Sequence, residues 1–157
     1  MSSTTKKTDC KLFKDKPECL EFSDKRKTII CKDKRAKSVY EGRNHDLKTF
    51  CKYHLDSCLI KGSKTKKNDF LLINSDERKS YFIELKGSDL VKAIHQVDSS
   101  VTALQSKFKG YAIYGRIVLT RVNTTDLRSS EYRKLKKRLE RTGGNLKQES
   151  QKMIEHL

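Results

Sequence analysis

Acidic residues are scarce in this chain. Aspartate and glutamate number 20 against 36 lysines and arginines in 157 residues, a formal net charge of +16. An excess of that size is the electrostatic footprint of a polyanion, most often nucleic acid, with an anionic membrane as the competing partner. Long apolar runs are also missing. None approaches the roughly 20 residues needed to cross a bilayer. No segment pairs a broad bulky face with a basic one, as membrane-surface anchors do. Nucleic acid is therefore the expected partner, and a membrane is not.

Other absences narrow the chemistry. There are no internal repeats, no glycine-rich phosphate loop and no Ser/His/Asp arrangement. No CxxC pair occurs among Cys10, Cys19, Cys31, Cys51 and Cys58. Cys51-x2-His54-x3-Cys58 is the densest metal-like cluster, but it lacks a fourth ligand at sensible spacing, so ordinary buried or half-exposed cysteines are the stronger reading. The odd cysteine count and a polar, lysine-rich start without a secretory signal lead to an expectation of free thiols in a reducing, intracellular setting. The length is that of one domain, enough to bury a sizeable core.

Against this background one stretch stands out. Asn68-Asp69-Phe70-Leu71-Leu72-Ile73 and Ser80-Tyr81-Phe82-Ile83-Glu84-Leu85-Lys86-Gly87 are two β-prone apolar runs separated by six polar residues. The pattern predicts a β-hairpin. Buried charge is expensive unless compensated, yet this hairpin carries Asp69, Glu84 and Lys86. The turn Asn74-Ser75-Asp76-Glu77-Arg78-Lys79 has its midpoint between Asp76 and Glu77. A symmetric hairpin about that point sets Asp69 opposite Glu84, with Cβ atoms roughly 4.5–5.5 Å apart on one face. Strand alternation adds Lys86 to the same face. Two carboxylates so placed can share a divalent cation.

Asp69 followed by Glu84-Leu85-Lys86 resembles the PD-(D/E)xK nuclease superfamily, with Asn68 where that family usually has proline. The resemblance spans about residues 55–121 and is carried by residues 68–96. It implies an α/β fold with a restriction-endonuclease-like core, a mixed central β-sheet flanked by α-helices. It also implies Mg2+ or Mn2+ held by Asp69 and Glu84, with Lys86 orienting the attacking water or stabilising charge in the transition state. In several branches of the superfamily a glutamine on the next helix organises the site, and Gln96 occupies a comparable place. Members often draw a further acid from an element before the hairpin. Asp56 and Glu41 are the candidates here, and His54 is a lesser one. The implied activity is hydrolysis of phosphodiester bonds, DNA before RNA, by an endonuclease. Many nucleases of this type cut as dimers, so a homodimer belongs to the expectation, although no dimer seam is readable. A non-catalytic nucleic-acid-binding module on the same fold is the alternative, and a small protein meeting an acidic protein partner is a third.

The helix after the hairpin is the best-defined element. Leu90, Ile94, Val97, Val101, Leu104 and Phe108 form one apolar stripe. Ser88 is its expected N-cap, and Gly110 its stop. Tyr111–Thr120 then reads as a strand. A second helix is expected from a Ser130 cap to Gly143-Gly144, with Tyr132, Leu135 and Leu139 inward. Its other faces are almost wholly basic, and Arg133 and Lys137 are candidate phosphate contacts. Lys61, Lys64, Lys66 and Lys67 form a further basic rim just before Asp69. Residues 1–37 read as a basic N-terminal arm and accessory segment, and 38–157 as the nuclease-like part of a single globular domain. Within them, residues 20–22 and 28–31 read as short strands or turns, 46–53 as a short helix and 55–60 as a strand. Residues 145–157 read as an edge strand with a frayed tail.

Overall fold

The computed structural model describes residues 10–32, 37–61, 68–121 and 127–157, apart from the Lys86 side chain. Nine strands and two α-helices follow in the order β1 (Leu20–Asp24), β2 (Thr28–Lys32), β3 (Val39–Arg43), β4 (Phe50–His54), β5 (Phe70–Asn74), β6 (Lys79–Lys86), α1 (Leu90–Leu104), β7 (Ala112–Leu119), α2 (Ser130–Arg141), β8 (Leu146–Ser150) and β9 (Lys152–His156). The fold is α/β with a mixed sheet. Six strands run in the order β1-β4-β5-β6-β7-β8, and β2-β3-β9 form a second, three-stranded sheet. Strands β1, β4, β5 and β6 pair antiparallel, whereas β6, β7 and β8 are parallel.

Alternation along the strands sorts the core into two layers. Leu71, Ile73, Phe82, Ile117 and Leu119 pack with Leu90, Ile94, Val97 and Val101 of α1 and Leu135 and Leu139 of α2. Phe70, Leu72, Tyr81, Ile83 and Leu85 point the other way, onto Ile29, Cys31, Tyr40 and Met153 of the small sheet. The molecule is thus helices, six-stranded sheet, three-stranded sheet. Burial of the six-stranded sheet on both faces explains why β5 is buried throughout, Asn74 included, while the outer β2 alternates.

The apolar stripe predicted for α1 is buried at every position, Phe108 included. The N-cap is Asp89, whose carboxylate accepts the Lys92 N–H, one residue after the expected Ser88. The second cap also moves by one, to Ser129. Gly143, at φ +97°, turns the chain out of α2.

The N-terminal third departs most from expectation. Residues 50–54 are a strand, not part of a helix, and 55–60 form turns with a lone Asp56–Ile60 bridge. Residues 146–156 supply one strand to each sheet where an edge strand and a frayed tail were expected. Segment 10–32 is built into both sheets through β1 and β2. It is also cross-linked, since Cys10–Cys51 and Cys19–Cys58 are disulfides with Cα separations of 6.0 and 5.6 Å. The expectation of free thiols is corrected for four of the five cysteines, and the Cys51/His54/Cys58 zinc reading falls because Cys51 and Cys58 belong to different disulfides. Cys31 remains a thiol, and burial between the sheets pushes it up to about 12.

One charged pair clamps the two sheets. Arg116, 2% exposed at the middle of β7, donates through Nε to both Glu155 carboxylate oxygens of β9 at 3.0 and 2.9 Å. The Tyr40 hydroxyl donates to the same carboxylate at 2.7 Å. Burial, then the Glu155 charge, holds the Tyr40 phenol well above its ordinary range. Glu155→Ala would strand the buried guanidinium, a change that costs about 3–5 kcal/mol in such sites. Urea unfolding should register that loss. A drop below about 1 kcal/mol would show that the pair does not clamp the sheets.

Candidate metal centre

The β5–β6 ladder pairs Phe70 with Ile83, Leu71 with Phe82 and Asn74 with Lys79. That is the register expected from a turn centred between Asp76 and Glu77, and the paired residues end at Phe70 and Ile83, one step short of Asp69 and Glu84. The Asp69 carboxylate accepts the Leu85 N–H at 3.0 Å, and its carbonyl accepts the Leu55 N–H at 3.1 Å. Asp69 is therefore tied to both neighbouring strands. Glu84, two residues from Phe82, faces the helix layer and is 1% exposed. Asp69, one residue before β5, is half-buried, and its charge also acts on Cys31 of the small sheet. Lys86 ends β6 with its backbone paired to Leu119.

Helix α1 covers this face. Gln96, on this helix, is 5% exposed. One turn on, the Ser100 hydroxyl donates to the Gln96 carbonyl at 2.9 Å and accepts the Asn68 N–H at 3.0 Å. This link brings Gln96 to within one helical turn of the chain entering Asp69. Asn68, which stands where the resembled family has proline, also uses its amide nitrogen, donating to the Phe70 and Ile83 carbonyls. The side-chain oxygens of Asn68 and Gln96 are both buried without a hydrogen-bond partner among the described residues. Buried amide oxygens are normally satisfied.

Among the described residues, no three His, Cys, Asp or Glu side chains gather as a metal cluster. The residues that would hold an ion here, Asp69 and Glu84, offer only oxygen donors. Such a set fits Mg2+ or Mn2+. Magnesium keeps several waters and is bound through one or two carboxylates plus substrate phosphates.

The other candidates scatter. Asp56 lies on the turn after β4, one residue past the Leu55 that bonds to Asp69. That is nearer than a 55–60 strand would allow, because the true strand ends at His54 and shifts the register. Glu41 sits on β3 in the small sheet, on the far side of the six-stranded sheet, held by Arg43 at 2.9 Å and Lys152 at 3.3 Å. Those partners lower its carboxyl, Arg43 most. His54 pairs with Glu21 at 3.0 Å. Lys61 is exposed, and Lys64, Lys66 and Lys67 lie outside the described residues. Arg133 and Lys137 are exposed on α2, whereas Arg138 turns inward to Asp98 of α1 at 2.6 Å.

Three features escaped the sequence reading: the Ser100–Asn68 link, Glu21 holding Lys52 at 2.7 Å, and the Arg116–Glu155 clamp. Arg116 did leave a signal, as a lone charge inside an apolar strand. Comparison with protein-family models, curated proteins and solved structures finds no match to this chain.

Proposed function

We propose that this chain is a metal-dependent phosphodiesterase of the PD-(D/E)xK type, an endonuclease acting on nucleic acid, DNA before RNA. The observation that carries the reading is the β5–β6 register, whose continuation one step past Phe70–Ile83 would bring Asp69 opposite Glu84. The hairpin–helix–strand order of β5, β6, α1 and β7 supports it, as does the net charge of +16. Asp69 and Glu84 would hold the ion, with Asp56, on the turn whose Leu55 bonds to Asp69, as the further acid. When bound, the ion supplies a Lewis acid that lowers the pKa of water and offsets charge on the scissile phosphate. Lys86 orients the water or stabilises the added charge. Gln96 positions the carboxylates, and exposed lysines and arginines grip the phosphate backbone.

The two disulfides favour an oxidising compartment over the reducing one first expected. No described helix is long and apolar enough to cross a membrane.

The absence of a third clustered acid among the described residues favours one second reading, a nucleic-acid-binding module without catalysis. Calorimetric titration with magnesium or manganese separates the two. The nuclease reading expects binding by the native chain and its loss in Asp69→Asn. A native chain that takes up neither ion, yet binds DNA with steep salt dependence, is the module.

A further inference from the structure

The nucleic-acid reading says nothing of strandedness, but the surface does. All twelve phenylalanines and tyrosines fall within the described residues, and the chain has no tryptophan. None of the twelve is exposed. Three tyrosines are half-buried, and each has its ring engaged. Tyr111 meets Phe108 edge-on at 5.4 Å. Tyr114 stacks on Tyr81 at 4.7 Å, with the Arg116 guanidinium 5.2 Å from its ring centre. Tyr132 packs against the helix-side core. Among the imidazoles, His45 and His156 stack on each other at 5.4 Å, in the layer across the six-stranded sheet from α2. Proteins that bind single strands combine a basic groove with aromatic faces on which bases stack. No phenylalanine or tyrosine here offers such a face.

Cations are exposed instead, and they are ordered. Arg133, Lys137 and Arg141 recur every four residues along α2, on the arc opposite Tyr132, Leu135 and Leu139. Of the two acids of the helix, Glu131 falls well outside that arc, and exposed Glu140 lies at its rim, about 20° from Arg133 at 100° per residue. The row begins beside the candidate centre. Thr120 donates twice to the Gly87 carbonyl, through N–H at 2.7 Å and Oγ1 at 2.8 Å, which fixes the exposed Arg121 next to the end of β6. Exposed Arg128 directly precedes the Ser129 cap. The far end of α2 lies at the opposite end of β7 from Thr120, where Thr142 Oγ1 accepts the Ile113 N–H at 2.8 Å.

We infer that Arg121, Arg128, Arg133, Lys137 and Arg141 form a phosphate-backbone rail for double-stranded nucleic acid, bound without base stacking and without sequence readout. The inference rests on the nucleic-acid part of the proposed function and not on its metal centre. Phosphate contacts position a duplex but carry no sequence information, so two duplexes of unrelated sequence are equivalent ligands.

The test is fluorescence anisotropy on the full chain in chelator, with a labelled DNA duplex, its separated strands and a second duplex of scrambled sequence. The duplex should bind at least tenfold more tightly than either strand, and the scrambled duplex within twofold of the first. Each phosphate contact contributes about 0.9 to the slope of log affinity against log salt. The combined Arg133→Gln, Lys137→Gln and Arg141→Gln variant should therefore lower that slope by about 3 with an unchanged circular dichroism spectrum. Equal affinity for single strands, or an unaltered slope in the folded variant, overturns the rail while leaving nucleic-acid binding in place. Failure to bind any of the probes overturns both.

Discussion

Glu84→Gln is expected to lower magnesium-dependent cleavage of DNA by roughly a thousandfold or more, the scale on which removing one preorganised electrostatic group acts. The substitution keeps the side chain's volume at a position 1% exposed, so packing against α1 is retained. Only the charge is lost. A neutral amide is a poorer ligand for a hard cation, so metal affinity should fall together with turnover. Lys86→Ala should abolish cleavage to a similar degree by a different route, because its proposed role is on the water or the phosphate. Metal affinity should then survive. The pair therefore separates holding the ion from using it. Unchanged cleavage in both folded variants would sink the assignment.

That prediction could be framed from sequence because hairpins are local. A six-residue polar turn between apolar runs determines the register by symmetry, and the ladder from Phe70–Ile83 to Asn74–Lys79 obeys it. Helix α1 was equally legible, since an amphipathic stripe covering one sheet face has to repeat every three or four residues. The caps slipped by one because Ser88 stands beside Asp89, and Ser129 beside Ser130, each able to cap.

Strand β4 was misread for a physical reason. Leu47, Phe50 and Cys51 have helical spacing, but partners on both sides hold residues 50–54 extended. Lys52 looks like a surface residue, yet it is 4% exposed and satisfied by Glu21 and the Ile30 carbonyl, both from distant strands. Strand β9 hides for the same reason. Only Met153 is buried in it, and Glu155 serves Arg116 from another sheet. Gln96 was legible as a candidate, but the Asn68–Ser100 hydrogen bond one helical turn further on spans 32 residues. The cysteine pairs are still less local, at separations of 41 and 39 residues.

Those pairs carry the second large effect. Closing a loop of about 40 residues stabilises a fold by about 4 kcal/mol in the chain-entropy model. The two loops overlap, because Cys19 lies inside the Cys10–Cys51 span, so losing both should destabilise by less than the sum. Urea unfolding of Cys10→Ser and Cys19→Ser, singly and together, measures this. Cys19→Ser should also reach the candidate centre. Its partner Cys58 sits on the turn after β4, whose Leu55 N–H holds the Asp69 carbonyl, and Cys58 donates its own N–H to the Leu55 carbonyl at 3.2 Å. Freeing that turn should weaken magnesium binding more than Cys10→Ser does, even at denaturant concentrations where both variants remain folded. Thiol counting in denaturant tests the premise directly. One reactive thiol, Cys31, is expected without reductant, and all five cysteines after a dithiol is added. Five thiols before reduction would return the chain to a reducing compartment, and the tether on Asp69 would then rest on backbone hydrogen bonds alone.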